Sequence, residues 1–296
     1  MRGRALTVSA PAKFNLYLGV STQLDQRGYH KVDSVMAAVD LFDEVTVAPA
    51  SQLSVATDPA TDCPQQKNTA YRAAMALGKA FDREPNVAVS IRKRIPLCAG
   101  LGGPSTDAAA VLRALCCLWD IDVADPLVAE VARGIGADVP FFLYDSPAYL
   151  SGGGDVLQET FPSIDGLPVC LVKPIDARVS TVDAYRAFDA DPVAVPPLDP
   201  LLQALRAGNA AAALPHIANN LGVVSQALEP QIAHVLAFLR VAGGVVAADV
   251  CGSGACSFAV CDSHETARGL AAEAASRHGW WSAAVRTCGA AHCSEK

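Results

Sequence analysis

The most informative segment of the sequence runs Pro96-Leu97-Cys98-Ala99-Gly100-Leu101-Gly102-Gly103-Pro104-Ser105-Thr106-Asp107-Ala108. Its glycines allow consecutive backbone N–H groups to turn inward around phosphate oxygens. An apolar stretch to Leu118 follows and predicts a helix, whose free N-terminal donors and partial positive charge favour an anion. We therefore expect a phosphate-binding loop. The alternative is a glycine turn that only caps an ordinary helix.

This glycine loop (residues 96–106) matches neither of two common nucleotide motifs. A Walker A loop would continue with Gly-Lys-Ser/Thr, which is absent here. Ser105 stands where a dinucleotide fingerprint has its third glycine. No β-α-β pattern opens the chain either, so a Rossmann-type dehydrogenase is disfavoured.

Composition excludes several classes of protein. The chain has 296 residues, of which 51% are hydrophobic and 18% charged, the reverse of a disordered chain. Its length suggests one large domain or two smaller ones. The net charge of -7 and the lack of any basic run beyond Arg92-Lys93-Arg94 argue against nucleic acid as a ligand.

We expect a cytoplasmic protein that does not enter a membrane. No apolar stretch approaches the roughly 20 residues of a spanning helix. Lys13 and Asn15 interrupt the apolar region that a signal peptide would need. The 10 cysteines include no C-x2-C pair, so we interpret most of them as buried small hydrophobes in a reducing compartment.

The pattern of residues predicts an α+β chain in two parts. We expect strands at Lys13–Val20, Val32–Val47 (two strands, or one that is bent), Leu53–Thr57 and Val87–Ile91, with an Asn68-capped helix over Thr69–Phe81. Beyond residue 160 we expect a connection at Asp189–Pro200. Helices then alternate with strands, the helices at Leu201–Ala207, Asn219–Leu228, Pro230–Val241 and His264–Arg277 and the strands at Val245–Asp249, Ser257–Val260 and Ala283–Thr287. We place a strand-rich N-terminal domain at residues 1–165 and a C-terminal α/β domain at residues 166–296.

Four further segments carry candidate chemical groups. Lys13 and Asn15 are two apart on a predicted strand and so share one face. Gly28-Tyr29-His30 forms a turn that presents two rings, and Asp138 stands just before an apolar run. Gly252-Ser253-Gly254 forms a second glycine turn. Taken singly, these are also compatible with a solvated strand face, a surface hairpin, a capping aspartate and a strand connection.

In this order, the segments resemble the GHMP kinase superfamily, whose three motifs correspond to Pro11–Leu18, Pro96–Ala109 and Gly252–Ser257. Within it, the sequences around Lys13, Tyr29 and Asp138 are most similar to the 4-diphosphocytidyl-2-C-methyl-D-erythritol kinase family. The resemblance extends over nearly the whole chain and is firmest over residues 8–150.

The resemblance implies a two-domain kinase with an active-site cleft between its domains, acting as a monomer or homodimer. It implies ATP with Mg2+, and transfer of a phosphoryl group to the 2-hydroxyl of a substrate that carries cytidine diphosphate, in non-mevalonate isoprenoid synthesis. Lys13 and Asp138 correspond to the catalytic pair. Asp138 would accept the hydroxyl proton, and Lys13 would keep that carboxylate ionised.

The same resemblance assigns binding residues. Substrate contacts correspond to Asn15, Tyr29, His30, Thr181 and Tyr185. Nucleotide contacts correspond to Asn68, Lys93 and the loop Pro96–Thr106, and the turn Gly252, Ser253, Gly254 would line the cleft. It assigns no metal ligand with certainty, although Ser105 and Thr106 lie near the expected Mg2+.

Two residues depart from the family pattern. Pro104 replaces a usual third glycine and removes one N–H donor. Asp107 stands where a neutral residue is frequent, so it would need a cation if it faced the phosphates. Weaker ATP binding is a possible consequence. Two alternatives therefore stay open: another GHMP kinase of homoserine or mevalonate type, and a catalytically impaired nucleotide-binding homologue.

Overall fold

The computed structural model describes residues 5–289 and 293–295. Strands and helices alternate along the chain as an α+β protein. The strands are β1 Leu6–Leu24, β2 His30–Pro49, β3 Ser54–Asp58, β4 Val87–Arg92, β5 Ala148–Ser151, β6 Val156–Thr160, β7 Pro168–Lys173, β8 Ala218–Asn219, β9 Val245–Val250, β10 Ser257–Cys261, β11 Trp281–Cys288 and β12 Cys293–Glu295. The helices are α1 Thr69–Ala80, α2 Gly103–Trp119, α3 Pro126–Ile135, α4 Thr181–Ala190, α5 Asp199–Arg206, α6 Ala210–Ala213, α7 Asn220–Leu228, α8 Pro230–Val241 and α9 His264–His278.

A long antiparallel pair, β1 and β2, forms the centre of the N-terminal half. Its register pairs Lys13 with Ala38 and Asn15 with Met36. The pairing shifts between Pro11 and Ala12, where a proline cannot donate to the ladder. The stretch after Val32 is one continuous strand, so the first alternative, two strands, is wrong and the second is correct.

One sheet path links both halves of the chain in the order β12-β1-β2-β11-β7-β10-β9. The link is β11, which pairs with β2 at Thr287 and with β7 along most of its length. The fold class is thus α+β, as predicted. The division at residues 165 and 166, which falls between β6 and β7, stays a prediction.

Alanine-rich helices cover the sheet. Helix α1 begins where the Asn68 side chain accepts a hydrogen bond from Ala70 N, as expected for this N-cap. Its buried positions include Ala70, Ala73 and Ala74, and α2 buries most of its length. Small side chains let the two helices approach closely, which explains much of the alanine in the sequence. No helix in the described ranges is long and apolar enough to cross a membrane.

Two sets of elements differ from the sequence expectations. The stretch around Asp189, expected as a connection, begins within α4, and only residues 191–198 link α4 to α5. Strands β5 to β7 also lie where no strand was predicted.

Among the described cysteines, five are buried, and Cys63, Cys98 and Cys117 are exposed. Cys293 lies in β12, but its side chain is outside the described part of the structure.

The glycine loop lies directly on a second glycine turn (residues 252–254). Ala255 N donates to Cys98 O at 3.2 Å and Cys256 N donates to Ala99 O at 3.1 Å. Gly100 has a φ of +73°, and a Cβ added to it would lie 1.9 Å from the backbone oxygen of Cys251. Only glycine allows this approach, so the contact fixes the two turns against each other.

This contact predicts a large effect of one added methyl group. Gly100→Ala should lower the free energy of unfolding by about 3 kcal/mol or more, because backbone strain and steric overlap add. The control is Gly166→Ala, at φ +87° with no atom within 4 Å. It should cost only about 1 kcal/mol of strain. Urea unfolding measures both, and equal losses would show that the close contact does not constrain the fold.

Candidate active site

A buried lysine lies at the centre of the site. Strand alternation puts Lys13 and Asn15 on one face of β1, as expected. Lys13 Nζ donates to Asn15 Oδ1 at 2.9 Å and lies 3.5 Å from Asp138 Oδ2. The Lys13 side chain is only 4% exposed, whereas that of Asp138 is 38% exposed. A buried ammonium therefore faces a carboxylate that remains accessible from the cleft.

Asp138 is held at the edge of the core by the apolar run that follows it. Pro140, Phe141 and Phe142 form a buried 3-10 turn. Val139 N donates to Gly136 O at 3.1 Å, which closes the turn that presents the carboxylate. The sequence Gly-Ala-Asp-Val-Pro-Phe-Phe thus anchors its apolar end and leaves its acid at the surface of the cavity.

The glycine loop leads into α2 through a left-handed cap at Gly102, with φ +75°. Pro104 lies in the first turn of this helix, where the missing N–H has no intrahelical acceptor to lose. Its carbonyl accepts a hydrogen bond from Thr69 Oγ1 at 2.6 Å. The side chain of Thr106 is buried, and its Oγ1 has no hydrogen-bond partner among the described groups.

Asp107 already has a cation beside it, and the cation is Lys93. Lys93 Nζ lies 2.6 Å from Asp107 Oδ2 and also pairs with Asp43, all three groups being buried. Burial, opposed by Lys93 and reinforced by Asp43, raises the pKa of Asp107 to about 7. Asp43 and Asp107 thus hold the Lys93 ammonium next to the glycine loop, where a Cβ added to Gly103 would lie 3.5 Å from Lys93 Nζ. Its predicted contact with a nucleotide stays a prediction.

The second glycine turn contacts Asn15, the hydrogen-bond partner of Lys13. Gly252 N donates to Asn15 Oδ1 at 3.1 Å, and Gly252 O accepts from Asn219 Nδ2 at 2.7 Å. Thr181 and Ser253 share a hydrogen bond of 3.1 Å between their hydroxyls. The turn therefore connects β1, α4 and the cap of α7 around one point.

Three rings line the same cavity, those of Tyr29, His30 and Tyr185. The His30 ring stacks on Tyr185, with centroids 4.9 Å apart and an interplanar angle of 30°. Tyr29 is 61% exposed, and Arg27 lies over its ring at 5.2 Å. Burial, and then the Asp138 carboxylate, raise the pKa of Tyr185 to about 12, so this hydroxyl stays protonated at neutral pH.

One cavity of about 590 Å³ is lined by twelve of the 23 predicted site residues. Those lining it are Lys13, Asn15, Tyr29, His30, Gly100, Gly102, Ser105, Asp138, Thr181, Tyr185, Gly252 and Ser253. The remaining predicted positions do not line it: Asn68, Lys93, Pro96, Leu97, Cys98, Ala99, Leu101, Gly103, Pro104, Thr106 and Gly254. The cavity thus contains the proposed catalytic pair and substrate contacts, with only part of the predicted nucleotide contacts.

Sequence reasoning missed several residues of this cavity. Ser34, Arg186 and Asp189 also line it. Arg186 and Asp189 lie on α4. Ser180 is the N-cap of this helix, with a side chain that accepts a hydrogen bond from Asp183 N, and a serine of this kind is a sequence signal for a helix start. Asn219, which holds Gly252, gave no signal, because its partner lies 33 residues away in the chain.

The buried carboxylate of Asp155 holds together the residues next to Tyr29. Arg27 donates to both oxygens of Asp155 at 2.6 and 3.0 Å, and Arg133 and Gly153 N donate as well. Burial alone would raise the pKa of Asp155, but the hydrogen bonds from Arg27, Arg133 and Gly153 hold it below its usual value. This cluster fixes the Tyr29 turn to the glycine-rich residues 152–154.

Comparison with known proteins places this chain in a family. The model for the GHMP kinases N terminal domain matches residues 68–146. A 4-diphosphocytidyl-2-C-methyl-D-erythritol kinase of Citrifermentans bemidjiense is 35% identical over 291 residues, covering 96% of this chain and 99% of the relative. A putative kinase of the same name from Streptococcus uberis is 34% identical over 265 residues, covering 87% of this chain and 90% of the relative.

Solved structures agree with this assignment. A crystal structure of 4-(cytidine 5'-diphospho)-2C-methyl-D-erythritol kinase is 31% identical, with a TM-score of 0.76 over 95% of this chain and 98% of that one. With its sequence similarity extending over almost its whole length, the chain belongs to the 4-diphosphocytidyl-2-C-methyl-D-erythritol kinase family of the GHMP kinases.

Proposed function

We propose that this chain transfers the γ-phosphoryl group of ATP to the 2-hydroxyl of 4-diphosphocytidyl-2-C-methyl-D-erythritol, in non-mevalonate isoprenoid synthesis. One observation carries the proposal: the Lys13–Asp138 pair lines the same cavity as the glycine loop and the rings of Tyr29, His30 and Tyr185. The names of the relatives support the same substrate.

The proposed chemistry requires few groups. Asp138 accepts the proton of the substrate 2-hydroxyl while the oxygen of that hydroxyl forms a bond to the γ-phosphorus. The bond between the γ-phosphorus and the bridging oxygen breaks, and this oxygen leaves with ADP. Lys13, 3.5 Å away, favours the ionised form of Asp138 and stabilises the developing negative charge. Asn15 accepts from Lys13 Nζ and so keeps the ammonium oriented.

Two groups of cavity residues suit the two ligands. The backbone of Gly100 and Gly102 and the hydroxyl of Ser105 suit phosphate oxygens. The exposed face of Tyr29 and the edge of His30 suit a planar base. Pro104 costs little, because its position in the first turn of α2 lacks an intrahelical acceptor.

We propose that Mg2+ enters with the phosphates of ATP rather than at a preformed carboxylate site. Within the described ranges, no three or more His, Cys, Asp and Glu side chains come together in a group that could hold a metal ion. Ser105 lines the cavity and offers a hydroxyl ligand of the kind such an ion accepts, whereas the unpartnered Thr106 Oγ1 is buried outside the cavity lining. When bound, Mg2+ would neutralise phosphate charge.

The cytoplasmic location, the monomer or homodimer state and the lack of nucleic-acid binding stay predictions.

The substrate assignment predicts the outcome of a panel assay. With ATP and Mg2+, the protein should consume ATP with the cytidyl substrate and not with homoserine, mevalonate or galactose. A coupled assay for ADP measures all four. ATP consumption with homoserine or mevalonate alone would support a kinase of those types, and ATP binding without any turnover would support an impaired homologue.

The base assignment predicts a separate effect on the chemical step. Asp138→Asn should lower kcat by about 10²- to 10⁴-fold, because the amide cannot accept the proton, while ATP affinity is retained. Asp145→Asn, an exposed carboxylate outside the cavity lining, is the matched control and should keep full activity. Retention of more than a few per cent of kcat in Asp138→Asn would contradict the assignment.

A further inference from the structure

The inference concerns Asn219, a buried residue that lies outside the cavity lining and that the mechanism above does not use. It is the last residue of β8, which pairs in parallel with β1 and places Asn219 beside Leu18. It is also the N-cap of α7. Asn219 therefore lies where a helix of the C-terminal half meets the strand that carries Lys13.

The side-chain amide of Asn219 makes three hydrogen bonds to the backbone. Its Oδ1 accepts from Gly222 N at 2.8 Å, which caps α7. Its Nδ2 donates to Val250 O at 2.9 Å and to Gly252 O at 2.7 Å. Because one N–H group and two carbonyls surround the amide, only this orientation of its oxygen and nitrogen satisfies all three. Asn219 thus joins the start of α7 to the end of β9 and to the second glycine turn.

The amide is closely packed as well as fully bonded. A Cβ added to Gly222 would lie 3.0 Å from Asn219 Nδ2 and 2.9 Å from Val250 Cβ, so the first turn of α7 packs directly on the amide and on β9. Asn219 is only 5% exposed. Loss of its two donor hydrogens would deprive two carbonyls of a buried partner, which is costly away from water.

The second glycine turn reaches the proposed catalytic pair through Asn15. Gly252 N donates to Asn15 Oδ1 at 3.1 Å, and the same oxygen accepts from Lys13 Nζ at 2.9 Å. Asn15 Nδ2 donates in turn to Ser34 Oγ at 3.0 Å. Gly252 is therefore held at its carbonyl by Asn219 and at its N–H by Asn15. A shift of the turn would move the oxygen to which the Lys13 ammonium donates.

We propose that Asn219 is a positioning residue for the phosphoryl transfer. By holding the second glycine turn, it keeps the Asn15 oxygen in place and so orients the Lys13 ammonium toward Asp138. The inference rests on the proposed function for this catalytic consequence. A purely structural role, in which Asn219 only caps α7, is the alternative that the test distinguishes.

The next residue in the chain supplies a matched control. Asn220 is also buried, and its Nδ2 donates to Val20 O and to Val193 O, both at 2.9 Å, while its Oδ1 accepts from Val20 N at 2.9 Å. None of these groups belongs to the second glycine turn. Asn219→Asp and Asn220→Asp each retain an oxygen that accepts from the backbone and each remove two donors. The two substitutions therefore differ mainly in which segment they release.

The test combines hydrogen–deuterium exchange with steady-state kinetics on the full chain. In Asn219→Asp, the backbone N–H groups of residues 250–256 should exchange roughly tenfold faster, the effect of losing one or two hydrogen bonds. Turnover of the cytidyl substrate should fall roughly tenfold to a hundredfold, chiefly in kcat rather than KM, because a small misplacement of a catalytic group has an effect of this size. Asn220→Asp should show neither change, even where urea unfolding shows an equal loss of stability.

A second variant covers the case in which Asn219→Asp does not fold. The hydroxyl of Asn219→Ser can still cap α7 but is too short to reach both carbonyls, so exchange and kcat should change in the same direction. Unchanged exchange of residues 250–256, or an unchanged kcat, in a folded Asn219 variant would overturn the inference. Equal losses of kcat in Asn219→Asp and Asn220→Asp would also overturn it, since both would then act through stability alone.

The exchange measurement separates this inference from the proposed function. If the unaltered protein does not phosphorylate the cytidyl substrate, the proposed function fails. The link from Asn219 to the second glycine turn would still hold if residues 250–256 exchanged faster in the Asn219 variants and not in Asn220→Asp. If the unaltered protein does phosphorylate that substrate and the Asn219 variants match it in exchange and kcat, the inference alone fails.

Discussion

The buried ammonium of Lys13 is the constraint on which the rest of the site depends. A charge so deep in a protein is stable only when partners surround it. Here those partners come from distant parts of the chain: Asn15 from the same strand, Asp138 from the edge of the core, and Gly252, which shares the Asn15 amide oxygen with Lys13. Once they are assembled around Lys13, little freedom remains in the arrangement of the cleft.

Both glycine segments are shaped by this lysine. Lys13 N donates to Leu101 O at 3.0 Å, and a Cβ on Gly102 would lie 3.0 Å from Lys13 Cγ. A Cβ on Gly252 would lie 3.4 Å from Lys13 Nζ. The glycines therefore serve two purposes, because they free backbone donors for phosphate and also make room for the one cation between the turns. This explains how a chain with a net charge of -7 can still offer a local site for polyanions.

Local features were readable from the sequence, because neighbouring residues determine them. The Asn68 cap, the start of α2 at the glycine loop and the shared face of Lys13 and Asn15 follow from capping chemistry and strand alternation. These features and the family resemblance were enough to predict the fold class. Roles within the site remain proposals, although twelve of the predicted positions line one cavity.

Features that depend on tertiary contacts were not readable. Lys93 pairs with Asp43, 50 residues away in the chain. The same lysine also pairs with Asp107 and supplies the cation that this acid would need close to phosphate. Helix α4 escaped detection because it buries only Ala184 and Phe188, too few apolar positions for a clear helical period. Asp189 was missed with it.

The most direct measurement of the central claim is a crystal structure with a non-hydrolysable ATP analogue and the cytidyl substrate bound together. We expect the substrate 2-hydroxyl oxygen at about 3 Å from an Asp138 oxygen, in line with the γ-phosphate above the glycine loop. The base would then lie against Tyr29 and His30. A 2-hydroxyl bound away from Asp138 and Lys13, with the phosphates outside the glycine loop, would contradict the account.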